Sequence, residues 1–145
     1  MPKVTPYLWF NVPLDEVVAH YRSIFDDFRE IATSPQSATF EIAGQRFRAL
    51  SGGPHREFNE AVSFFIECEG QEEVDRYWSR LTVDGGEEGQ CGWLRDRYGL
   101  SWQVVPKALM RHLSDPDRAK AERVMQAMLA MRKIDVAELD RAAAG

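Results

Sequence analysis

Residues 61–68, Ala-Val-Ser-Phe-Phe-Ile-Glu-Cys, give the strongest strand signal in the chain, because β-branched and aromatic side chains suit a pleated, half-buried surface. Directly after them, Val74, Tyr77, Trp78 and Leu81 recur at helical spacing over residues 71–81, the apolar stripe of an amphipathic helix. The same order occurs earlier in the chain. Residues 4–12, Val-Thr-Pro-Tyr-Leu-Trp-Phe-Asn-Val, read as a strand ending at Pro13, which cannot continue a central ladder. From Leu14 the positions Val17, Val18, Tyr21, Ile24 and Phe25 follow a helical period, with Asp15, Glu16, His20 and Arg22 elsewhere on the wheel. A strand followed by a helix therefore occurs twice.

Short strands are predicted over 29–33, 38–43 and 46–51, separated by Ser34-Pro35 and Ala43-Gly44-Gln45 as turn chemistry. In the second half, Gly85-Gly86 breaks the chain, and residues 91–95 and 100–105 read as a hairpin around Asp96-Arg97-Tyr98-Gly99. Registering the halves supports a duplication. An offset of 54 takes Phe10 to Phe64 and Val12 to Ile66, and an offset of 55 takes Gly44 to Gly99, Phe47 to Trp102 and Leu50 to Val105. The predicted fold is α+β, with two βαβββ modules at residues 1–53 and 58–106 inside a single domain, 1–145. Residues 107–145 then form a helical appendage. Asp115-Pro116 is the expected start of one helix, carrying Ala121, Val124, Met125, Met128 and Met131, and Asp135 with Glu138 is the expected cap of the next. Methionine at that spacing reads as packing against the core or a second chain.

At 145 residues the chain holds one ordinary core. Its 44% hydrophobic and 28% charged content is that of a globular protein. The net charge of −5 argues against a nucleic-acid footprint, and no apolar run approaches the roughly 18 residues that span a bilayer. The start at Met1-Pro2-Lys3 does not read as a signal peptide, so a cytoplasmic location is expected. Cys68 and Cys91 make no ligand-like spacing with each other or with His20, His55 and His112. Cys68 reads as a small buried hydrophobe, and no disulfide is expected.

The run from Cys91 to Pro106, Cys-Gly-Trp-Leu-Arg-Asp-Arg-Tyr-Gly-Leu-Ser-Trp-Gln-Val-Val-Pro, resembles the closing stretch of PhnB-like proteins in the glyoxalase/vicinal oxygen chelate superfamily. Gly52-Gly53-Pro54, residues 58–64, residues 71–78 and the tail from Asp115 to Asp135 resemble the same family in order. The segment between Phe28 and Phe40 is shorter than the family's usual loop. The resemblance implies a cupped mixed sheet of the glyoxalase/bleomycin-resistance/dioxygenase type, helices outside, a ligand cavity inside, and a homodimer. Many members carry the label demethylubiquinone methyltransferase. No Gly-rich loop that would hold a nucleotide-like methyl donor follows a parallel strand here, which argues against methyl transfer.

Superfamily enzymes hold a divalent metal with His or Glu from the first and last strands of each module. Carried onto this sequence, those positions fall on Tyr7, Arg48, Ala61 and Gln103, a set with a single neutral amide oxygen and no good divalent ligand. No metal and no cofactor are therefore expected. His55, Glu57 and Glu60 read as a solvated linker, and neither His20 nor His112 reads as catalytic. Strand alternation directs Tyr7, Trp9 and Asn11, then Ser63 and Phe65, then Ser101 and Gln103 toward a cavity between the modules. Arg48, if inward, would pair with a carboxylate or phosphonate, whereas Trp102 shares parity with Val104 and reads as core. The function expected first is metal-free binding of a small, partly aromatic or anionic molecule. An enzyme, using metal ligands in another register or Tyr7 or Cys91 as a reactive group, is the alternative, and a role in which the helices present an interaction surface is a third.

Overall fold

A computed structural model describes residues 2–145, and the chain parts into two compact units between Phe58 and Asn59. The first holds β1 (Tyr7–Phe10), α1 (Leu14–Ile24), β2 (Phe28–Thr33), β3 (Ser37–Ile42) and β4 (Gln45–Ser51). Its sheet runs β1-β4-β3-β2, with β1 parallel to β4 and the other pairs antiparallel. The opening strand is shorter than expected, because residues 4–6 and 11–12 fall outside it and Val4 stands in solvent. Pro6 still contributes through its carbonyl, which accepts from the Arg48 amide at 2.9 Å. Ala43 and Gly44, at φ of 50° and 84°, close the β3–β4 hairpin in the left-handed region that its tight turn requires. One face of the sheet is buried beneath α1. There Phe40 stacks between Phe28 and Phe47, with ring centroids 5.5 and 5.8 Å away, and Phe10 and Tyr21 complete the aromatic core. Each such ring contributes about 1.5–3 kcal/mol by leaving water.

The second unit holds β5 (Ser63–Cys68), α2 (Gln71–Thr82), β6 (Glu87–Glu88), β7 (Trp93–Arg95), β8 (Ser101–Pro106), α3 (Lys107–Leu113), α4 (Arg118–Leu129) and α5 (Val136–Ala144). The sheet order β5-β8-β7-β6, with β5 parallel to β8, repeats the topology of the first. Gly99, at φ 85°, takes the place of Gly44 in the closing hairpin, as the 55-residue offset requires.

The opening strands need a different offset. The ladders set Tyr7 opposite Arg48 and Phe65 opposite Gln103, so with Arg48 and Gln103 equivalent, the counterpart of Tyr7 is Phe65. Ala61 lies before β5 begins. Apolar residues occupy successive positions in both opening strands, so an apolar match is available in several registers, and only the pairing selects one.

Past β8, Val105, Leu109, Val124, Ile134, Leu139 and Ala143 form a buried cluster, with Met128 and Met131 packed against it. The methionine stripe is thus largely intramolecular packing. The cap of α4 is Asp117, whose side chain accepts from the Lys120 amide at 3.2 Å. Asp115, expected at that position, instead accepts from the Asp117 amide and shapes the preceding turn. Asp135 caps α5 through the Glu138 amide, as its sequence predicts.

Candidate functional site

Along β1 and β4 the side chains alternate. Leu8, Phe10, Phe47 and Ala49 are buried beneath the sheet, which leaves Tyr7, Trp9, Arg46, Arg48 and Leu50 on the opposite face. Tyr7 is 52% exposed, and the Arg48 guanidinium stands 5.5 Å from the centre of its ring. Trp9 is held more firmly: its indole N–H donates to the Gly53 carbonyl at 2.9 Å, and Arg56 lies 5.7 Å over the ring. Charge on this face is unbalanced. Arg29 and Arg46 both pair with Glu41, at 2.8 and 3.0 Å. The hydrogen bond from Arg29, followed by that from Arg46, holds the Glu41 carboxyl below the usual carboxylate range. Among the described residues, Arg48 and Arg56 have no carboxylate within ion-pair distance. Asn11 belongs to a different place, an open recess of about 610 Å³ that it shares with Thr33, Ser34, Ser51 and Gly53.

In the second unit Gln103 donates from Nε2 to the Ser63 hydroxyl at 3.0 Å, and Phe65, directly opposite Gln103, is 48% exposed. Ser101 is fully buried, opposite Ser63 on one side and Arg95 on the other. Trp102 points to the other face and is core, in contact with Phe64 at 5.5 Å between ring centroids. Its indole N–H donates to Asp96 Oδ2 at 2.9 Å, while Asp96 Oδ1 accepts from the amides of Tyr98 and Leu100. Asp96 is itself buried and anchors the β7–β8 turn. Ser101 and Trp93 line an open recess of about 570 Å³ together with the β6–β7 connection.

The positions at which the family resemblance would place a metal carry residues of poor ligand chemistry. With the ladder register they are Tyr7, Arg48, Phe65 and Gln103, which offer a phenol, a guanidinium, a hydrocarbon ring and one amide. Among the described residues no three His, Cys, Asp or Glu side chains converge on a common point, the linker group His55, Glu57 and Glu60 included. Both cysteines are free thiols. Burial pushes the Cys68 thiol up to about 12, so it is no nucleophile near neutrality. Cys91 is half-buried at the recess beside Trp93. Its amide and that of Gly92 donate to the carbonyls of Met131 and Arg132, which straps this connection to the chain between α4 and α5.

A family described as 3-demethylubiquinone-9 3-methyltransferase matches residues 2–105, most of the chain. The chain belongs to that family, the PhnB-like proteins. A PhnB protein from Bacillus cereus that carries the same methyltransferase name is 27% identical, covering 72% of this chain and 99% of its own, with a TM-score of 0.64. Protein PA1353 from Pseudomonas aeruginosa is 19% identical over 73% of this chain and 98% of its own, with a TM-score of 0.60. The fosfomycin resistance protein FosX from Listeria monocytogenes, complexed with Mn(II) and sulfate, is 22% identical over 70% and 88%, with a TM-score of 0.51. These likenesses place the PhnB-like chain in the glyoxalase/vicinal oxygen chelate superfamily. No curated protein matches the chain.

Several residues of this PhnB-like chain escaped the sequence reading. Arg56 reads as solvated linker, yet it lies over Trp9, and only the Gly52-Gly53 turn beside it signals that the linker folds back. Asp96 carries no sequence signal beyond a turn propensity, although it accepts three hydrogen bonds from the hairpin it initiates. Glu87 and Glu88 form a strand that their poor β propensity hides.

Proposed function

We propose that the protein binds a small, partly aromatic anion, a carboxylate or phosphonate, without a metal, on the face that carries Tyr7, Trp9 and Arg48. The observation that carries this reading is the pair of guanidiniums, Arg48 and Arg56, poised over aromatic rings with no carboxylate among the described residues to neutralise them. An aromatic acid would stack on Tyr7 or Trp9 and complete the charge balance through a forked hydrogen bond from Arg48. Asn11 lies in a separate recess, and Ser63, Phe65, Ser101 and Gln103 belong to the second unit, so this reading rests on none of them. Methyl transfer is not part of it: the β1–α1 connection, Asn11 to Pro13, has no glycine, and the β5–α2 connection has Gly70 alone. We also place the protein in the cytoplasm, which suits its two free thiols, as a homodimer in which a second chain covers exposed strand edges. No helix among the described residues is long and apolar enough to cross a membrane.

Calorimetric titration with 1-naphthoate and phenylphosphonate tests the reading. Binding should weaken by about tenfold or more in Arg48→Ala and fall further when Trp9→Ala is added. Equal affinity of wild type and both variants would place any binding elsewhere and defeat the proposal. Light scattering at micromolar concentration tests the dimer, and a mass of 16.6 kDa would exclude it.

A further inference from the structure

The recess of about 570 Å³ in the second unit is lined by more carboxylates than cations, with Arg95 its one basic lining residue. Glu60, Glu87 and Glu88 stand on its rim, and only Glu87 is neutralised, by an ion pair with Arg95. Glu60 and Glu88 are exposed carboxylates with no cationic partner among the described residues. One wall is the half-buried ring of Trp93. Its lining includes Ser101, a fully buried residue whose hydroxyl has no hydrogen-bond partner among the described residues. A buried hydroxyl left in that state is unfavourable unless something donates to it or accepts from it.

We infer that this recess binds an organic ammonium or guanidinium ion carried on an apolar body. The rim carboxylates attract the cation, Trp93 accepts its face through a cation–π contact, and an N–H of the ligand donates to Ser101 Oγ. A bare metal ion does not suit the same groups, because no three carboxylate, imidazole or thiolate groups converge among the described residues. The volume is that of a pocket for a molecule with a body as well as a charge. Gly89 is built into the frame: a Cβ there would lie 2.7 Å from the Trp93 carbonyl, so the chain passes close enough to Trp93 to fix the wall. This site is independent of the proposed anion face, since none of its residues belongs to that face.

An NMR titration of 15N-labelled protein with 2-phenylethylamine, cationic at pH 7, tests the inference, with phenylacetate as the anion of similar shape. The amine should shift the amides of residues 87–95 and 101 and the Trp93 indole N–H, and phenylacetate should leave them in place. Glu60→Gln with Glu88→Gln should weaken amine binding by about tenfold. Ser101→Ala should weaken it by about fivefold while the melting temperature holds or rises, because an unpartnered hydroxyl is removed. Arg48→Ala should bind the amine as wild type does. Shifts of equal size with phenylacetate, undiminished affinity in the double variant or in Ser101→Ala, or loss of amine binding in Arg48→Ala would each overturn the inference.

Discussion

The indole ring of Trp9 occupies the space that a side chain on Gly52 would need. A Cβ built on Gly52 would lie 2.3 Å from Cε2 and 2.4 Å from Cζ2 of the ring, distances at which one of the two must move. The neighbouring Gly53 carbonyl holds the same ring by its N–H, so this glycine pair both admits the indole and anchors it.

Gly52→Ala is therefore expected to expel Trp9 from its seat. Overpacking of this kind costs about 1–3 kcal/mol, and the indole should lose its hydrogen bond to Gly53. Urea unfolding, with tryptophan emission read in the folded baseline, checks both effects. Retention of wild-type stability and emission would show that the ring moves aside freely.

Asp96 is the second pressure point. Replacing it with Ala removes the carboxylate that accepts from the Trp102 indole N–H and from the amides of Tyr98 and Leu100. At about 1–3 kcal/mol for each buried donor left unsatisfied, Asp96→Ala should lose about 3 kcal/mol or more. Trp102→Phe, which removes one donor and keeps the other two satisfied, should lose less. Denaturant midpoints of the two variants decide the order.

Cys68 gives the stability a dependence on alkaline pH. Burial raises its thiol from about 9 to about 12 in the folded protein, so between those values the unfolded chain releases a proton that the folded chain keeps. The contribution is fully present below pH 9 and is lost as pH rises toward 12, at on the order of 1 kcal/mol per pH unit. Unfolding free energies measured from pH 8 to 11 should fall more steeply for wild type than for Cys68→Ala. A thiol reagent at pH 8 should modify Cys91 in the folded protein and leave Cys68 intact.

Gln71 fastens α5 to the start of α2. Its Oε1 accepts from the Val136 amide at 2.7 Å, and its Nε2 donates to the Ile134 carbonyl at 3.0 Å. Gln71→Ala should speed hydrogen exchange at Val136 and cost about 1–2 kcal/mol, while Leu139 and Ile134, both fully buried, keep α5 docked. Exchange at Val136 equal to wild type would show the contact to be idle.

Most of the architecture was legible because it rests on periodicity. The stripe Val74, Trp78 and Leu81 and the alternation around Phe47 and Ala49 are consequences of burying one face, and Gly44 and Gly99 mark turns that need a positive φ. Trp102 could be assigned to the core by parity alone. Alternation puts Tyr7 and Trp9 on one face, but it leaves the facing of Arg48 open, and only the β1–β4 register sets Arg48 beside Tyr7. What the sequence hid depends on contacts between distant residues. The register of Phe65 against Gln103 is fixed by ladder bonds, the position of Arg56 by the fold of a linker, and the role of Asp96 by burial that its residue type disfavours. The start of α4 was displaced by two residues because Asp115 and Asp117 are both competent caps, and only the second has the helix in reach.

The last strand of each module is an inner strand. β4 lies between β1 and β3, and β8 between β5 and β7, so in both cases the chain writes its sheet from the outside and inserts the central member at the end. During synthesis on the ribosome, β1 leaves the tunnel with no ladder partner and waits until Ser51 has emerged; β5 waits likewise for Pro106. Pairing of this reach is slow compared with local hairpin closure. A nascent chain halted after β3 or after β7 would thus display an orphaned apolar strand, the kind of segment that chaperones hold, and release from that state should coincide with the arrival of the closing strand.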